Sequence, residues 1–247
     1  MTAIQTEVFD DADQLATDVA NRFVEICQKS ISRDGRCVIA LAGGSTPKRL
    51  YQLLASDRFC DQVDWSRLHL FLSDERCVPL DHPDSNYRMA REALLDHVAA
   101  PDEQVYAVPT HLDEPEAARS YEFSIRSLLA PANDEIPAFD LVLLGIGGDG
   151  HTASLFPGTK ALEVAHRLVV ENWVPQQESM RITFTIPLLQ AARQTILMAT
   201  GDDKAEAVHR AVVGPLNVQE TPSQILRDSR GTVTFALDRS AGARLSA

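Results

Sequence analysis

A histidine that follows a glycine-rich loop is the residue of this sequence best suited to proton transfer. The loop reads Gly145-Ile-Gly-Gly-Asp-Gly150, and His151 comes next. Histidine changes charge near neutral pH, and Asp149 could orient its ring or stabilise its cation. The pattern predicts a general base at His151 supported by Asp149, with a structural histidine in a turn as the alternative. Ser154 lies nearby, but the G-x-S-x-G motif of serine hydrolases is absent.

A second motif, Ala42-Gly-Gly-Ser-Thr-Pro47, joins an apolar run to a helical pattern. Two glycines allow close backbone approach, and the free N–H groups of a helix N-terminus attract an anion. We therefore expect Gly43, Gly44 and Ser45 to bind a phosphate or carboxylate, with Thr46 as N-cap before the first-turn proline. An ordinary strand-to-helix turn is the alternative, and the P-loop motif is absent.

Three cations follow other predicted strands or begin them. Arg76 closes the segment Ser73-Asp-Glu-Arg76, Arg181 opens an apolar strand, and Lys204 ends Gly201-Asp-Asp-Lys204. Each alone is typical of a solvated surface charge, but together they could clamp one anion. Within the first segment, Asp74 or Glu75 could also serve as an acid or base.

The glycine loop 145–150 also fits the dinucleotide fingerprint G-x-G-x-x-G after a strand. Against this hypothesis, Pro157 would stop a helix that began at Gly150 after about two turns. Asp149 and His151 also place groups in the loop that a pyrophosphate does not need. We therefore expect no nucleotide cofactor.

Buried apolar strands alternate with amphipathic helices along the chain, which predicts an α/β fold: a mostly parallel, doubly wound sheet with helices on both faces. Helices are predicted over 11–31, 48–55, from Asp84 or Ser85 to 97, over 115–129 and, capped by Asp202, over 204–213. Strands are predicted over 36–41, 67–72, 105–108, 139–144, 168–170, 180–186, 195–199 and 232–237. Because sites in such sheets form at the carboxyl ends of strands, the polar motifs are expected to share one site.

The composition restricts the classes of partner. The 247 residues carry 23 basic and 35 acidic side chains, a net charge of −12, which argues against a nucleic-acid binder. The length favours one domain, 1–247, over two small ones. The first ten residues do not resemble a signal peptide, and no apolar run is long enough to cross a membrane.

Four cysteines, at positions 27, 37, 60 and 77, are scattered without a C-x-x-C pair. This favours reduced thiols and a cytoplasmic protein over a disulfide framework, and Cys77 is expected to be a buried filler. Cysteine and histidine do not cluster at zinc spacing, so no metal is expected. No interface signal indicates an oligomeric state.

These motifs resemble the 6-phosphogluconolactonases of the pentose phosphate pathway. The resemblance is carried by Leu41–Pro47, Ser73–Arg76, Asp84-Ser-Asn86, Gly145–Gly158, Arg181–Thr185 and Thr200–Lys204, in order over about residues 10–235. It implies a Rossmann-like fold and cofactor-free hydrolysis of 6-phospho-D-glucono-1,5-lactone, a phosphosugar lactone.

The resemblance also implies roles for the residues singled out above. His151, supported by Asp149, would activate water, and Arg76 or a backbone N–H of the glycine loop would stabilise the oxyanion. The phosphate would lie on Gly44 and Ser45 with Arg181 and Lys204 as countercharges. Whether Arg76 faces phosphate or oxyanion is left open.

Two alternatives remain. The first is the related glucosamine-6-phosphate deaminases, which this chain resembles in the glycine-histidine core. Membership of that group would imply a glutamate five residues after the histidine, but this chain has Phe156 there. A non-catalytic phosphosugar-binding regulator would keep the anion clamp but would not need the intact Asp149 and His151.

Overall fold

The computed structural model describes residues 4–129 and 135–245. The strands in these ranges are β1 (Gln5–Phe9), β2 (Cys37–Leu41), β3 (Leu68–Leu72), β4 (Asp74–Arg76), β5 (Leu141–Gly145), β6 (Val169–Val174), β7 (Ser179–Phe184), β8 (Gln194–Ala199) and β9 (Thr232–Asp238). The α-helices are α1 (Ala12–Asp34), α2 (Ser45–Leu54), α3 (Asn86–Ala93), α4 (Glu114–Leu129), α5 (Ile186–Ala191) and α6 (Ala205–Val212).

Six strands form a parallel sheet in the order β1-β9-β8-β5-β2-β3. From β2 the chain moves outward to β3, whereas β5, β8 and β9 extend in the other direction. The strand order therefore reverses between β2 and β5, and ligands of open α/β sheets bind outside the carboxyl ends of strands at such a switch point.

Both faces of this sheet are covered, because successive side chains of a strand point to opposite faces. Val38 and Ala40 of β2 pack in the hydrophobic cluster that includes α4, α5 and α6. Cys37, Ile39 and Leu41 pack in the cluster formed with α1, α2 and α3. The predicted mostly parallel α/β fold with helices on both faces is confirmed.

A second, three-stranded antiparallel sheet, β4-β7-β6, lies beside the carboxyl ends of the first. Strands were predicted over 168–170 and 180–186, which correspond to β6 and β7, but not their arrangement in a separate sheet. The segment Ser73–Arg76 was expected to close β3, but the chain breaks at Ser73, whose N–H bonds Leu41 and whose carbonyl accepts from Phe184. Residues 74–76 then pair with β7 as a strand of their own.

Several predicted helix boundaries and one predicted strand are wrong. Helix α3 ends at Ala93, and residues 95–97 form a separate 3-10 turn. Asp202 lies in a 3-10 turn and does not cap α6, which begins at Ala205. Residues 105–108 contribute one isolated bridge, Leu70 to Val105, instead of a strand. Strand β1 was missed because its side chains are largely exposed.

Candidate active site

A cleft of about 250 Å³ opens at the carboxyl ends of β2, β5 and β8 and faces the second sheet. Its lining unites residues from every predicted motif: Gly43, Gly44, Ser45, Arg76, His151, Arg181 and Lys204. Asp149 does not line the cleft and lies behind His151, to which it is hydrogen-bonded. The expectation that the polar motifs meet at one edge of the sheet is confirmed.

The loop after β2 presents the N-terminus of α2 to the cleft. Gly44 has φ of 101°, a left-handed conformation that favours glycine, and it is itself the N-cap. Thr46 was expected to cap, but the helix begins one residue earlier and the Thr46 hydroxyl bonds Thr200 Oγ1 at 2.8 Å. Because no described side chain caps the first turn, its N–H groups are available to an anion.

His151 is fixed by the loop that follows β5. Its backbone carbonyl accepts from Gly147, and Asp149 Oδ1 accepts from both its N–H and its Nδ1, at 3.1 and 2.6 Å. Because a carboxylate can only accept, Nδ1 carries the proton and Nε2 is left as a base. Partial burial acts to raise the pKa of Asp149, but the bonds and charge of His151 outweigh it and lower that pKa.

The ring of Phe156 lies flat against the imidazole of His151. The ring centroids are 3.9 Å apart and the planes are inclined by 21°. Phe156 is buried, and the guanidinium carbon of Arg181 lies 6.0 Å from its ring centroid. Phe156 therefore places an apolar face on the histidine.

Arg76 and Arg181 stand directly opposite each other in the antiparallel pair β4–β7. Like charges in such a pair repel, and burial together with Arg76 lowers the pKa of Arg181. Arg76 Nη1 donates to Asn86 Oδ1 at 2.6 Å, whereas its buried Nε has no partner among the described residues. Two cations that face each other and line the same cleft indicate a place for an anion.

Lys204 brings a third cation from the turn after β8. Its Nζ lies 2.7 Å from Asp203 Oδ2. The turn begins at Gly201, which has φ of 97° and donates its N–H to Asp238 at the end of β9. Lys204 lines the same cleft as the N-terminus of α2.

The acidic residues beside Arg76 have separate roles. Glu75 is fully buried and accepts from the N–H groups of Arg76, Asn86 and Tyr87. Burial raises the pKa of Glu75, which these bonds only partly offset. Glu75 therefore anchors the start of α3 and does not line the cleft, so Asp74 is the one of the two candidate acids or bases that does.

Asp74 does line the cleft, and its Oδ2 accepts from Ser154 Oγ at 2.6 Å. Ser154 is fully buried, and its hydroxyl donates to that carboxylate. It is therefore not placed to act as a nucleophile. Cys77 is half-buried, and burial raises its thiol pKa to about 12, in keeping with a filler role.

Asn86 and Gln177 line the cleft although sequence reasoning assigned them no role. Asn86 joins Arg76 to the carbonyl of Asp74, to which its Nδ2 donates at 2.9 Å. The only sequence feature that could have indicated a role for Asn86 is its position in Asp84-Ser-Asn86, directly after the capping serine. Gln177 accepts from Arg181 but lies in a turn that carries no sequence pattern.

The dinucleotide hypothesis fails on the same geometry. Among the described residues, no α-helix begins after β5 until Ile186, so the loop 145–150 does not aim a helix N-terminus at a pyrophosphate. The part of the chain that the structure describes also contains no group of three potential metal ligands.

Together, the switch-point cleft, the histidine–aspartate pair and the facing cations define an α/β protein built to act on a small anionic molecule. The chain belongs to the family described as glucosamine-6-phosphate isomerases/6-phosphogluconolactonase, whose sequence model matches residues 10–235. The resemblance drawn from the motifs is confirmed.

Relatives match over nearly their whole length. A 6-phosphogluconolactonase of Synechocystis is 41% identical over 88% of this chain and 88% of its own, and one of Nostoc is 39% identical over 97% and 98%. The structure of a 6-phosphogluconolactonase from Trypanosoma brucei superposes with a TM-score of 0.89 at 32% identity, covering 99% of this chain and 100% of that one. A monomeric glucosamine-6-phosphate deaminase, at 19% identity and a TM-score of 0.83, shares the fold.

Proposed function

We propose that the protein hydrolyses 6-phospho-D-glucono-1,5-lactone to 6-phosphogluconate, without a cofactor, in the oxidative pentose phosphate pathway. The observation that carries the proposal is His151 in a cationic cleft, its Nδ1 bound to Asp149 at 2.6 Å and its Nε2 left as a base. The names and the coverage of the relatives support the same reaction.

In the proposed mechanism, His151 Nε2 takes a proton from water as the water oxygen attacks the lactone carbonyl. Asp149 stabilises the imidazolium that forms. The tetrahedral intermediate then breaks the bond between the carbonyl carbon and the ring oxygen, and that oxygen takes the proton back from His151. One water is consumed, and the product ionises to a carboxylate. A lactone is already electrophilic, so activated water is sufficient.

The cations of the cleft bind two different negative groups, the phosphate of the substrate and the oxyanion of the transition state. We place the phosphate at Gly43, Gly44 and Ser45, with Lys204 and Arg181 as countercharges. Arg76 lines the cleft as a cation, which suits an oxyanion that appears only in the transition state. If Arg76 binds the phosphate instead, its removal will raise KM and leave kcat nearly unchanged.

We propose a cytoplasmic location, supported by four free cysteines. In the ranges that the structure covers, no helix has the length and apolar character needed to cross a bilayer. The net charge of −12 does not favour nucleic acid as a partner.

The deciding experiment measures acid release from freshly generated 6-phosphogluconolactone beside ammonia release from glucosamine 6-phosphate. The lactone also hydrolyses spontaneously, so His151→Ala serves as the control, with its folding checked by circular dichroism. Acid release well above that control, without ammonia, is the expected result. Ammonia release would place the chain with the deaminases, and binding of the phosphosugar without either product would indicate a regulator.

A further inference from the structure

The bond from His151 to Asp149 does not by itself fix the plane of the imidazole. A single hydrogen bond at Nδ1 sets one distance, whereas the ring torsion of histidine is broad. The ring can therefore tilt about this bond and turn Nε2 away from the cleft. Something else must hold the plane if Nε2 is to meet a water at a constant angle.

The structure supplies that constraint through Phe156, which stacks on the imidazole at 3.9 Å. Phe156 is itself held: its carbonyl accepts from the N–H and the hydroxyl of Thr159, at 3.2 and 2.8 Å. The Thr159 hydroxyl also accepts from buried Asn172 at 3.0 Å. The stacking face therefore belongs to a tight, hydrogen-bonded turn tied to the second sheet.

We propose that Phe156 is a positioning residue: its ring fixes the plane of His151 so that Nε2 faces the cleft, and stabilises the imidazolium formed during turnover. The inference rests on the proposed function only for its kinetic consequence. An imidazolium over an aromatic face gains cation–π attraction, and an apolar face supplies this without adding a charge to the cleft that holds Asp74, Arg76 and Arg181.

The test compares Phe156→Leu, which keeps an apolar side chain but removes the ring, with Phe156→Tyr, which restores a ring. The matched control is Phe139→Leu. Phe139 is equally buried and packs edge-on against Phe71, but it precedes β5 and so lies at the opposite end of that strand from His151. The readouts are kcat and KM for the lactone and the ring-proton resonances of His151, assigned by their loss in His151→Ala.

We expect Phe156→Leu to lower kcat by about 10- to 100-fold, because small misplacements of a reacting group cost that much. Phe156 also lines the cleft, but KM should stay within about two-fold, since Phe156→Leu keeps an apolar side chain and removes no charged or hydrogen-bonding group. The His151 ring protons should move downfield as the ring current is lost. Phe156→Tyr should restore both readouts, and Phe139→Leu should alter neither, although it lowers stability.

An unchanged kcat in Phe156→Leu, unmoved His151 resonances, or an equal loss of kcat in Phe139→Leu would overturn the proposal. Should Phe156→Leu fail to fold, Phe156→Met, which fills more of the same space without a ring, takes its place. If the wild-type protein does not hydrolyse the lactone, the proposed function fails, whereas the resonances of His151 still decide whether Phe156 holds its ring.

Discussion

Replacing Gly147 with alanine should impair catalysis by His151, although the histidine itself is unchanged. A Cβ built on Gly147 would clash with Nδ1 and Cε1 of His151 and with Oδ1 of Asp149. The absence of a side chain at Gly147 therefore leaves the room in which His151 and Asp149 meet. In Gly147→Ala the new Cβ would lie 2.1 Å from Nδ1, so the imidazole must move by more than about 1 Å to regain van der Waals distance.

The expected magnitude follows from that displacement. A shift of about 1 Å in a reacting group can cost roughly 100-fold in rate, which corresponds to about 2.7 kcal/mol of transition-state stabilisation. We therefore expect kcat for the lactone to fall by about two orders of magnitude. KM should change little, because Gly147 lies on the histidine side of the cleft.

The assay is steady-state acid release, corrected for spontaneous hydrolysis, together with thermal unfolding to show that the fold persists. Gly148→Ala is the matched control, since Gly148 is not among the residues that line the cleft and a Cβ there approaches only the Asp203 carbonyl oxygen, at 3.3 Å. The reasoning is refuted if Gly147→Ala keeps more than about a tenth of wild-type kcat, or if Gly148→Ala loses as much.

Three further outcomes are expected. Lys204→Ala should raise KM by about 10-fold through the loss of a charged contact, and an unchanged KM would show that Lys204 does not reach the phosphate. Asn86→Ala, which leaves Nη1 of Arg76 bonded only to the Asp84 carbonyl, should lower kcat/KM about 10-fold at unchanged secondary structure; wild-type kcat/KM would exclude that anchoring role. Burial opposes ionisation of Glu122, but Arg167 and Arg126 hold its pKa below the ordinary 4.5. Its carboxylate therefore contributes stability that is complete above that pH and is lost below it, and the Tm gap between wild type and Glu122→Gln should narrow on acidification. A constant gap would contradict this.

The features that could be predicted from sequence are those encoded by neighbours along the chain. The spacing of Leu15, Val19 and Phe23 marks α1, because a helix repeats every 3.6 residues. Likewise, glycine loops after apolar runs locate the cleft, because parallel strands end at one edge of the sheet.

The features that were missed depend on partners far away in the sequence. Residues 74–76 form a strand only because β7, about a hundred residues later, pairs with them. Thr46 looks like a cap, but the left-handed Gly44 starts the helix earlier and frees the hydroxyl for Thr200. The stacking of Phe156 on His151 likewise requires the loop to turn back on itself, and no local sequence pattern predicts that turn.

The pairing of the first strand with the last has a consequence for how the protein is made. Gln5 of β1 lies opposite Thr234 of β9, so β1 has no strand partner until β9 has left the ribosome. The polar side chains of β1 keep the strand soluble while it has no strand partner. The turn that carries Lys204 is also tied to β9, through Gly201 and Asp238. Nascent chains that stop short of β9 should therefore contain His151 and still lack a complete site, so enzymatic activity should appear only after β9 has been synthesised.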